Sequence, residues 1–325
     1  MNTKSNRRDF IKNAALFPLA AATGMAGFSA VGQSASRDTT VEGKTSAKWT
    51  GASRIKTALN AYSFNTALTA PAVVGKPVMT LFDVLEFCAR HDFDAVDPTG
   101  YYFPGYPKVP TDSFINDFKR RAFRLGIDIS GTGVRNNFAL PDKEKRAADV
   151  QLVKDWIEVA AKLGAPVIRV FAGPEPEGHS RDEVADWMAA DLKACAEHGR
   201  QHGVLVGVQN HGDFIKTAEQ AIKMVKMVDS EWFGVIVDTG NFRIGDPYDE
   251  IARVLPYAVN FQIKESPFGP ESKVRMDLKK LVQVLRAGGY RGYLPIETLG
   301  SSGQDDPNVT VPKLLDEMRQ AIGQA

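Results

Sequence analysis

Four short stretches in the second half of the chain each end an apolar run on groups able to do chemistry: VGVQNH (206–211), VIVDTGN (235–241), VNFQIKES (259–266) and LPIET (294–298). Their polar ends are Gln209, Asn210 and His211; Asp238 and Asn241; Gln262, Lys264 and Glu265; and Glu297. A carboxylate at the end of a buried strand is costly unless it is paired or bound to a cation. The carboxylates Asp238 and Glu297, with the amide oxygens of Gln209 and Gln262, make a hard oxygen set suited to one divalent cation, Mn²⁺ or Mg²⁺. Zn²⁺ and Co²⁺ stay open, although zinc would find no thiolate here and a single nearby imidazole, His211. Glu297 or His211 is placed to move a proton.

The stretch 259–264 alternates with period two, Val259, Phe261 and Ile263 against Asn260, Gln262 and Lys264, which marks a strand with two unlike faces. Lys264 therefore shares a face with Gln262, from which it can donate to a substrate oxygen and stabilise an enediolate charge; a lysine leaning out over the rim is the plainer reading.

Arg169 lies inside the apolar run VIRVFAG (167–173). A guanidinium there needs a partner: either Asp97 or another strand-end carboxylate in a structural ion pair, or a carboxylate of a substrate. The segment PTGYYFPGYP (98–107) is rich in aromatic rings for a plain turn. Tyr101 and Tyr102 are candidates to stack on a sugar, against the alternative of a packed loop. His179 in EGHS and Asn60 at the end of the first strand complete the candidate substrate-binding set; a plain surface loop is the bland reading of His179. His91, His198 and His202 fall on helical patterns and read as solvent-facing.

The elements that position these groups repeat from residue 54 onward: a short β-branched run, a polar loop, then an amphipathic segment. The runs are RIKTALNAYS, FDAVDP, GIDISGTG, PVIRVFAG, GVLVGVQNH, FGVIVDTGN, YAVNFQIKE and RGYLPIET. Several of the intervening helical patterns start at Thr or Asp and stop at Gly. Strands alternating with helices imply parallel pairing through right-handed crossovers. Eight such units predict a closed (β/α)₈ barrel over residues 54–325 as a single domain, with reactive groups at the C-terminal strand ends. An open doubly wound sheet would need a glycine-rich turn after the first strand; NAYSFNT is not one, and GTGVRN (131–136) lacks the third glycine.

The motifs GVQNHGDF, VIVDTGNF, NFQIKE and RGYLPIETLG occur in an order that resembles the xylose isomerase-like TIM-barrel superfamily, in its sugar phosphate isomerase/epimerase branch, over roughly residues 55–322. The resemblance implies a metal-dependent enzyme acting on a sugar. It places the first metal-ligand Glu of the family on Gln209, the Asp on Asp238, the His on Gln262 and the last Glu on Glu297. Two of the four therefore depart. In the family's epimerases the first and last Glu also serve as bases on opposite faces of the substrate. An amide takes no proton at useful pH, so Gln209 is no base and a two-base epimerisation is put in doubt. Isomerisation, or elimination or hydration at a keto sugar, needs one base only. The alternatives are a keto-sugar lyase or hydratase on the same site, a non-catalytic sugar-binding barrel, and a metal-free glycosidase using Asp238 and Glu297. An endonuclease-like site rich in His is poorly served by five His in the whole chain.

The N-terminus carries NRRDFIK (6–12), then a mildly apolar stretch rich in Ala and Gly. A twin arginine ahead of a weak apolar region predicts a cleavable Tat-type signal over 1–36 and periplasmic or exported location, followed by a polar linker over 37–53. Stable membrane insertion after cleavage is not expected, because the run is poor in Leu and Ile. The signal holds four basic residues against the single acid Asp9, a net of +3, which leaves about −2 for the rest of a chain of formal charge +1. Without a basic stripe a nucleic-acid partner is not expected. The expected partner is a small-molecule sugar, and an oligomer stays open. Cys88 and Cys195 each sit in a helical pattern and read as buried free thiols.

Overall fold

A computed structural model describes residues 54–71, 78–211, 214–264, 268–270, 274–298 and 306–324. The expected signal and linker, Glu265 and the loop 299–305 after the last strand lie outside the described residues.

In chain order the elements are β1 (Lys56–Asn60), α1 (Asn65–Leu68), α2 (Leu81–Arg90), β2 (Ala95–Asp97), α3 (Asp112–Leu125), β3 (Asp128–Ile129), β4 (Thr132–Gly133) and α4 (Lys143–Leu163). They continue with β5 (Val167–Phe171), α5 (Arg181–His202), β6 (Leu205–Gln209), α6 (Ala218–Val228), β7 (Phe233–Asp238), α7 (Pro247–Val254), β8 (Ala258–Gln262), α8 (Leu278–Ala287), β9 (Tyr293–Ile296) and α9 (Pro307–Gln324). The helices form where the caps require. Thr80 and Asp83 make a reciprocal capping box on α2, and Thr111, Asp142, Ser180 and Thr217 accept from the first-turn amides of α3, α4, α5 and α6. α3, α4 and α5 stop at Gly126, Gly164 and Gly203 in the left-handed region, where only glycine sits without strain.

All strand pairs are parallel, in two runs ordered β3-β2-β1-β9 and β4-β5-β6-β7-β8. The runs meet at both ends. A bridge between Ile263 and Ile296 joins β8 to β9, with Ile263 N donating to Pro295 O at 2.7 Å and Glu297 N to Ile263 O at 2.9 Å. On the other side the expected third strand passes from one run to the other, split into β3 and β4 at Ser130–Gly131. The split has a cause: Asn260 reaches across the barrel and its Nδ2 donates to Ser130 O at 3.1 Å. A Cβ on Gly131 would come within 3.1 Å of that same nitrogen. The chain thus closes as the (β/α)₈ barrel, and the fifth to eighth expected strands are β6 to β9.

The barrel answers what the polar face of 259–264 does. Asn260, Gln262 and Lys264 are buried, and the first two hydrogen-bond across the barrel, whereas Phe261 and Ile263 pack on the helix side, Phe261 with its ring 4.8 Å from that of Tyr290. Each fully buried Leu, Ile or Phe of the layer between strands and helices stabilises the fold by about 1.5–3 kcal/mol. Val259 breaks the expected alternation. The register between β7 and β8 shifts beside Val235, and Val259 packs onto Gly207 and Gly234, where a Cβ would lie 2.9 and 2.4 Å from its methyl groups. A bulge of this kind re-aims one side chain, and the two glycines supply the space.

Among the described residues no helix is long and apolar enough to cross a membrane. Cys88 and Cys195 are free and buried, as expected, and burial pushes the Cys195 thiol up to about 12.

Candidate active site

The C-terminal ends of the strands surround a cavity of about 380 Å³, within the range of small-molecule sites. Asn60, Tyr101, Arg169, Gln209, His211, Lys264 and Glu297 line it, so seven expected residues converge.

At its floor lies an ion-pair network. Lys264 Nζ stands 2.7 Å from Asp238 Oδ2 and 3.3 Å from Glu297 Oε1. Asp238 has no solvent exposure and is satisfied on every side. Gln209 Nε2 donates to its Oδ2 at 2.6 Å, and Gly240 N to its Oδ1 at 2.9 Å. Asn210 clamps its main chain, accepting from Asp238 N at 2.7 Å and donating to Asp238 O at 3.0 Å. Burial works to lower the Lys264 pKa, but Asp238 and Glu297 outweigh it and hold the ammonium well above its ordinary value.

A second chain of contacts runs beside the first. Asn60 Nδ2 donates to Gln262 Oε1 at 2.8 Å, and Gln262 Nε2 reaches Asp97 Oδ2 at 3.5 Å. Asn60 is itself held by Tyr62 N, which donates to its Oδ1 at 2.8 Å. Burial raises the Asp97 carboxyl to about 6; Arg169 opposes the rise and Glu297 adds to it.

The set expected to hold a divalent ion is built differently. Asp238 and Glu297 do converge on one point, but the Lys264 ammonium occupies it. Gln209 turns its NH₂ toward the carboxylate, as it must, since its oxygen there would repel Asp238. Gln262 Oε1 is engaged by Asn60. A cation already seated between the carboxylates, with amides in place of two stronger donors, does not fit a divalent ion at this point. Among the described residues the grouping with metal-ligand proximity is elsewhere: Glu158 on α4 with His198 and His202 on α5, their ligand atoms within 4.8 Å of one another. His198 was expected to face solvent, yet it is partly buried, with Nε2 3.5 Å from Glu158 Oε1; burial and His202 lower its pKa.

Two expected substrate contacts fall away from the cavity. The Tyr102 hydroxyl donates to Asn65 Oδ1 at 2.8 Å, which ties the ring into the packed loop. His179 lies on the outer surface, its Nδ1 3.2 Å from Glu183 Oε2 and its ring against Trp187. The Tyr101 and Tyr102 rings meet edge-on at 4.8 Å, so that Tyr101 lines the cavity and Tyr102 supports it from behind. His211 is exposed at the rim with its ring 4.7 Å from Phe171.

Several lining residues escaped the sequence reading. Tyr62 follows the first strand, and Arg135, Asn136 and Asn137 follow the third. Asn136 laces β4 to β5, donating to Phe171 O and accepting from Phe171 N, both at 2.9 Å. The signal for them was their position just past a strand end, Arg135 and Asn136 in the segment GTGVRN and Tyr62 in NAYSFNT, each weighed only as a glycine-rich turn.

The architecture is shared with known proteins. The chain superposes on D-psicose 3-epimerase from Clostridium cellulolyticum H10, solved with D-tagatose, with a TM-score of 0.66 at 18% identity, over 82% of this chain and 99% of that one. It superposes on 3-keto-D-glucoside 4-epimerase from E. coli with a TM-score of 0.63 at 15% identity, over 82% and 99%. In sequence it is 26% identical over 99 residues to the 3'-dehydrocarminate deglycosidase alpha subunit of a Microbacterium species. That match covers 29% of this chain and spans only 28% of the subunit's length. Residues 85–321 match the family model described as xylose isomerase-like TIM barrel. The chain belongs to the xylose isomerase-like TIM barrel family.

Proposed function

We propose that the protein is a sugar isomerase- or epimerase-type enzyme that moves a proton at the carbon next to a carbonyl of a free or keto sugar, with the Lys264 ammonium as its resident cation. The carrying observation is the placement of Lys264 Nζ between Asp238 and Glu297 at 2.7 and 3.3 Å on the cavity floor. A fixed cation beside a carboxylate is what enolisation needs: one group accepts the proton, the other stabilises charge on the adjacent oxygen. Glu297 is the base, since it lines the cavity and keeps only a 3.3 Å contact with the ammonium. Asp238 is enclosed and positions Lys264 rather than touching substrate. Lys264 stays charged, which removes it as a base or an imine-forming amine. Gln209 cannot carry a proton, so return from another direction falls to His211 at the rim.

The test is solvent exchange. The folded protein is incubated in D₂O with free ketoses, aldoses, 3-keto-glucosides and the corresponding sugar acids and followed by NMR. Deuterium appears at the carbon beside the carbonyl; no incorporation from any of these sugars sinks the reading.

A keto-sugar lyase is the second reading. Two similar proteins carry names of 3-keto or 3'-dehydro glycosides, and one of them is a deglycosidase subunit. Loss of a proton followed by departure of a group one carbon further on uses the same base and the same cation. Released aglycone in the same spectra separates this outcome from epimerisation.

Export is part of the proposal, carried by the paired arginines of NRRDFIK. Arg7→Lys with Arg8→Lys retains the protein in the cytoplasm; unchanged export of that variant refutes a twin-arginine route.

A further inference from the structure

Among the described residues, Arg169 is a strand residue at the mouth whose charge is left over. It extends from the middle of β5 and is 5% exposed, and its guanidinium makes no hydrogen bond or ion pair with a described residue. Its Nη1 is buried without a partner. The guanidinium lies over the Phe171 ring at 4.0 Å and faces Tyr101 at 5.9 Å. Its other side rests on Gly133, where a Cβ would come within 2.6 Å of Nε. The neighbouring carboxylate, Asp97, senses the guanidinium without pairing to it and bonds Gln262 instead. Burying a guanidinium without a direct hydrogen-bonded counter-ion is costly, and a ligand anion would offset that cost.

The surroundings specify the ligand. Arg135, at the exposed end of the same cavity, covers the opposite part of the aromatic wall with its guanidinium 4.8 Å from the Tyr101 ring. β5 stands across the barrel from β9, so Arg169 and Glu297 enter the cavity from opposite strands, and Arg135 enters from the loop after β4. Lys264 adds no free positive charge, because Asp238 and Glu297 neutralise it. The cavity thus has a reacting end and an anion end. A planar guanidinium fork matches a carboxylate in two parallel hydrogen bonds. A phosphate dianion would meet more repulsion from Asp97 than a singly charged carboxylate does.

We infer that the substrate is a sugar acid, whose carboxylate Arg169 and Arg135 hold at the end of the cavity opposite Glu297 and Lys264. The inference rests on the reading of the cavity as a sugar site. The experiment is calorimetric titration of the full chain with D-glucuronate, D-glucose and D-glucose 6-phosphate, repeated on Arg169→Gln and Arg135→Gln. D-Glucuronate binds at least tenfold more tightly than D-glucose, about 1.4 kcal/mol. Arg169→Gln removes that preference, and the exposed Arg135→Gln, which does not endanger the fold, reduces it at least threefold. Equal affinities for glucuronate and glucose in the unaltered protein overturn the inference, as does a preference that survives both substitutions. Tighter binding of D-glucose 6-phosphate overturns the carboxylate assignment. Solvent exchange on a neutral keto sugar with no acid preference leaves the proposed enzyme standing and sinks this inference alone. Binding of none of the three probes, together with no exchange, sinks both.

Discussion

Asp238, fully enclosed at the end of β7, holds the Lys264 ammonium at 2.7 Å across the floor of the cavity. Removing one partner of a buried pair leaves the other charge uncompensated, at a cost of about 3–5 kcal/mol. Lys264→Met is therefore expected to lower stability by about that much in urea denaturation. Adding Asp238→Asn to it restores most of the loss. A double variant no more stable than Lys264→Met would show that the pairing is not what the substitution disturbs.

Glu297→Gln tests the base with the fold intact. The amide oxygen still accepts from Lys264, so the melting temperature changes little, but the side chain no longer takes a proton. Deuterium incorporation is expected to fall roughly 10²–10⁴-fold. Loss of less than tenfold assigns the proton to another group.

Chelation separates an internal cation from a bound one. With Lys264 between the carboxylates, exhaustive treatment with EDTA followed by gel filtration leaves turnover within about twofold. Metal content is measured in parallel on His198→Gln, because Glu158, His198 and His202 would hold adventitious ions away from the mouth. Activity lost on chelation and restored by Mn²⁺ in both proteins removes the ammonium from the role assigned to it.

Asp97 gives a pH signature with a definite sign. Burial lifts its carboxyl from 3.8 to about 6 in the folded protein. Between about pH 4 and 6 the native state therefore binds more protons at this position than the unfolded chain does, so its contribution to stability falls as pH rises through that window. Asp97→Asn is expected to flatten the slope there. An unchanged profile by denaturant titration across pH 4–6 would mean that Asp97 is ionised throughout.

Much of the site was legible before the fold because polar residues at the ends of apolar strands carry both a burial cost and a position. Gln209, Asp238, Lys264 and Glu297 were read that way and converge on one another. The period-two pattern put Asn260 and Gln262 on one face, which the barrel makes the inner one, and it failed at Val259, where a register shift between β7 and β8 overrides alternation. Arg169 was legible as an ion without an assured partner, because an apolar run of that length leaves a guanidinium no route to water. Arg135 and Asn136 were not, since loop residues have no periodicity to fix where they point.

By itself, then, the amino-acid order determined the alternation of strands and helices, the closed barrel that eight such units form, and the strand ends at which chemistry would gather. These follow from local properties: spacing of apolar residues, capping groups and the cost of burying charge. Only the tertiary structure decided that the cation between Asp238 and Glu297 is Lys264 Nζ, that Gln262 serves Asn60 and Asp97, that Tyr101 faces the cavity while Tyr102 does not, and that the Arg169 guanidinium makes no ion pair among the described residues. Each of these depends on which of several reachable partners a long side chain meets across the barrel, and that choice is set by distances between residues far apart in the chain.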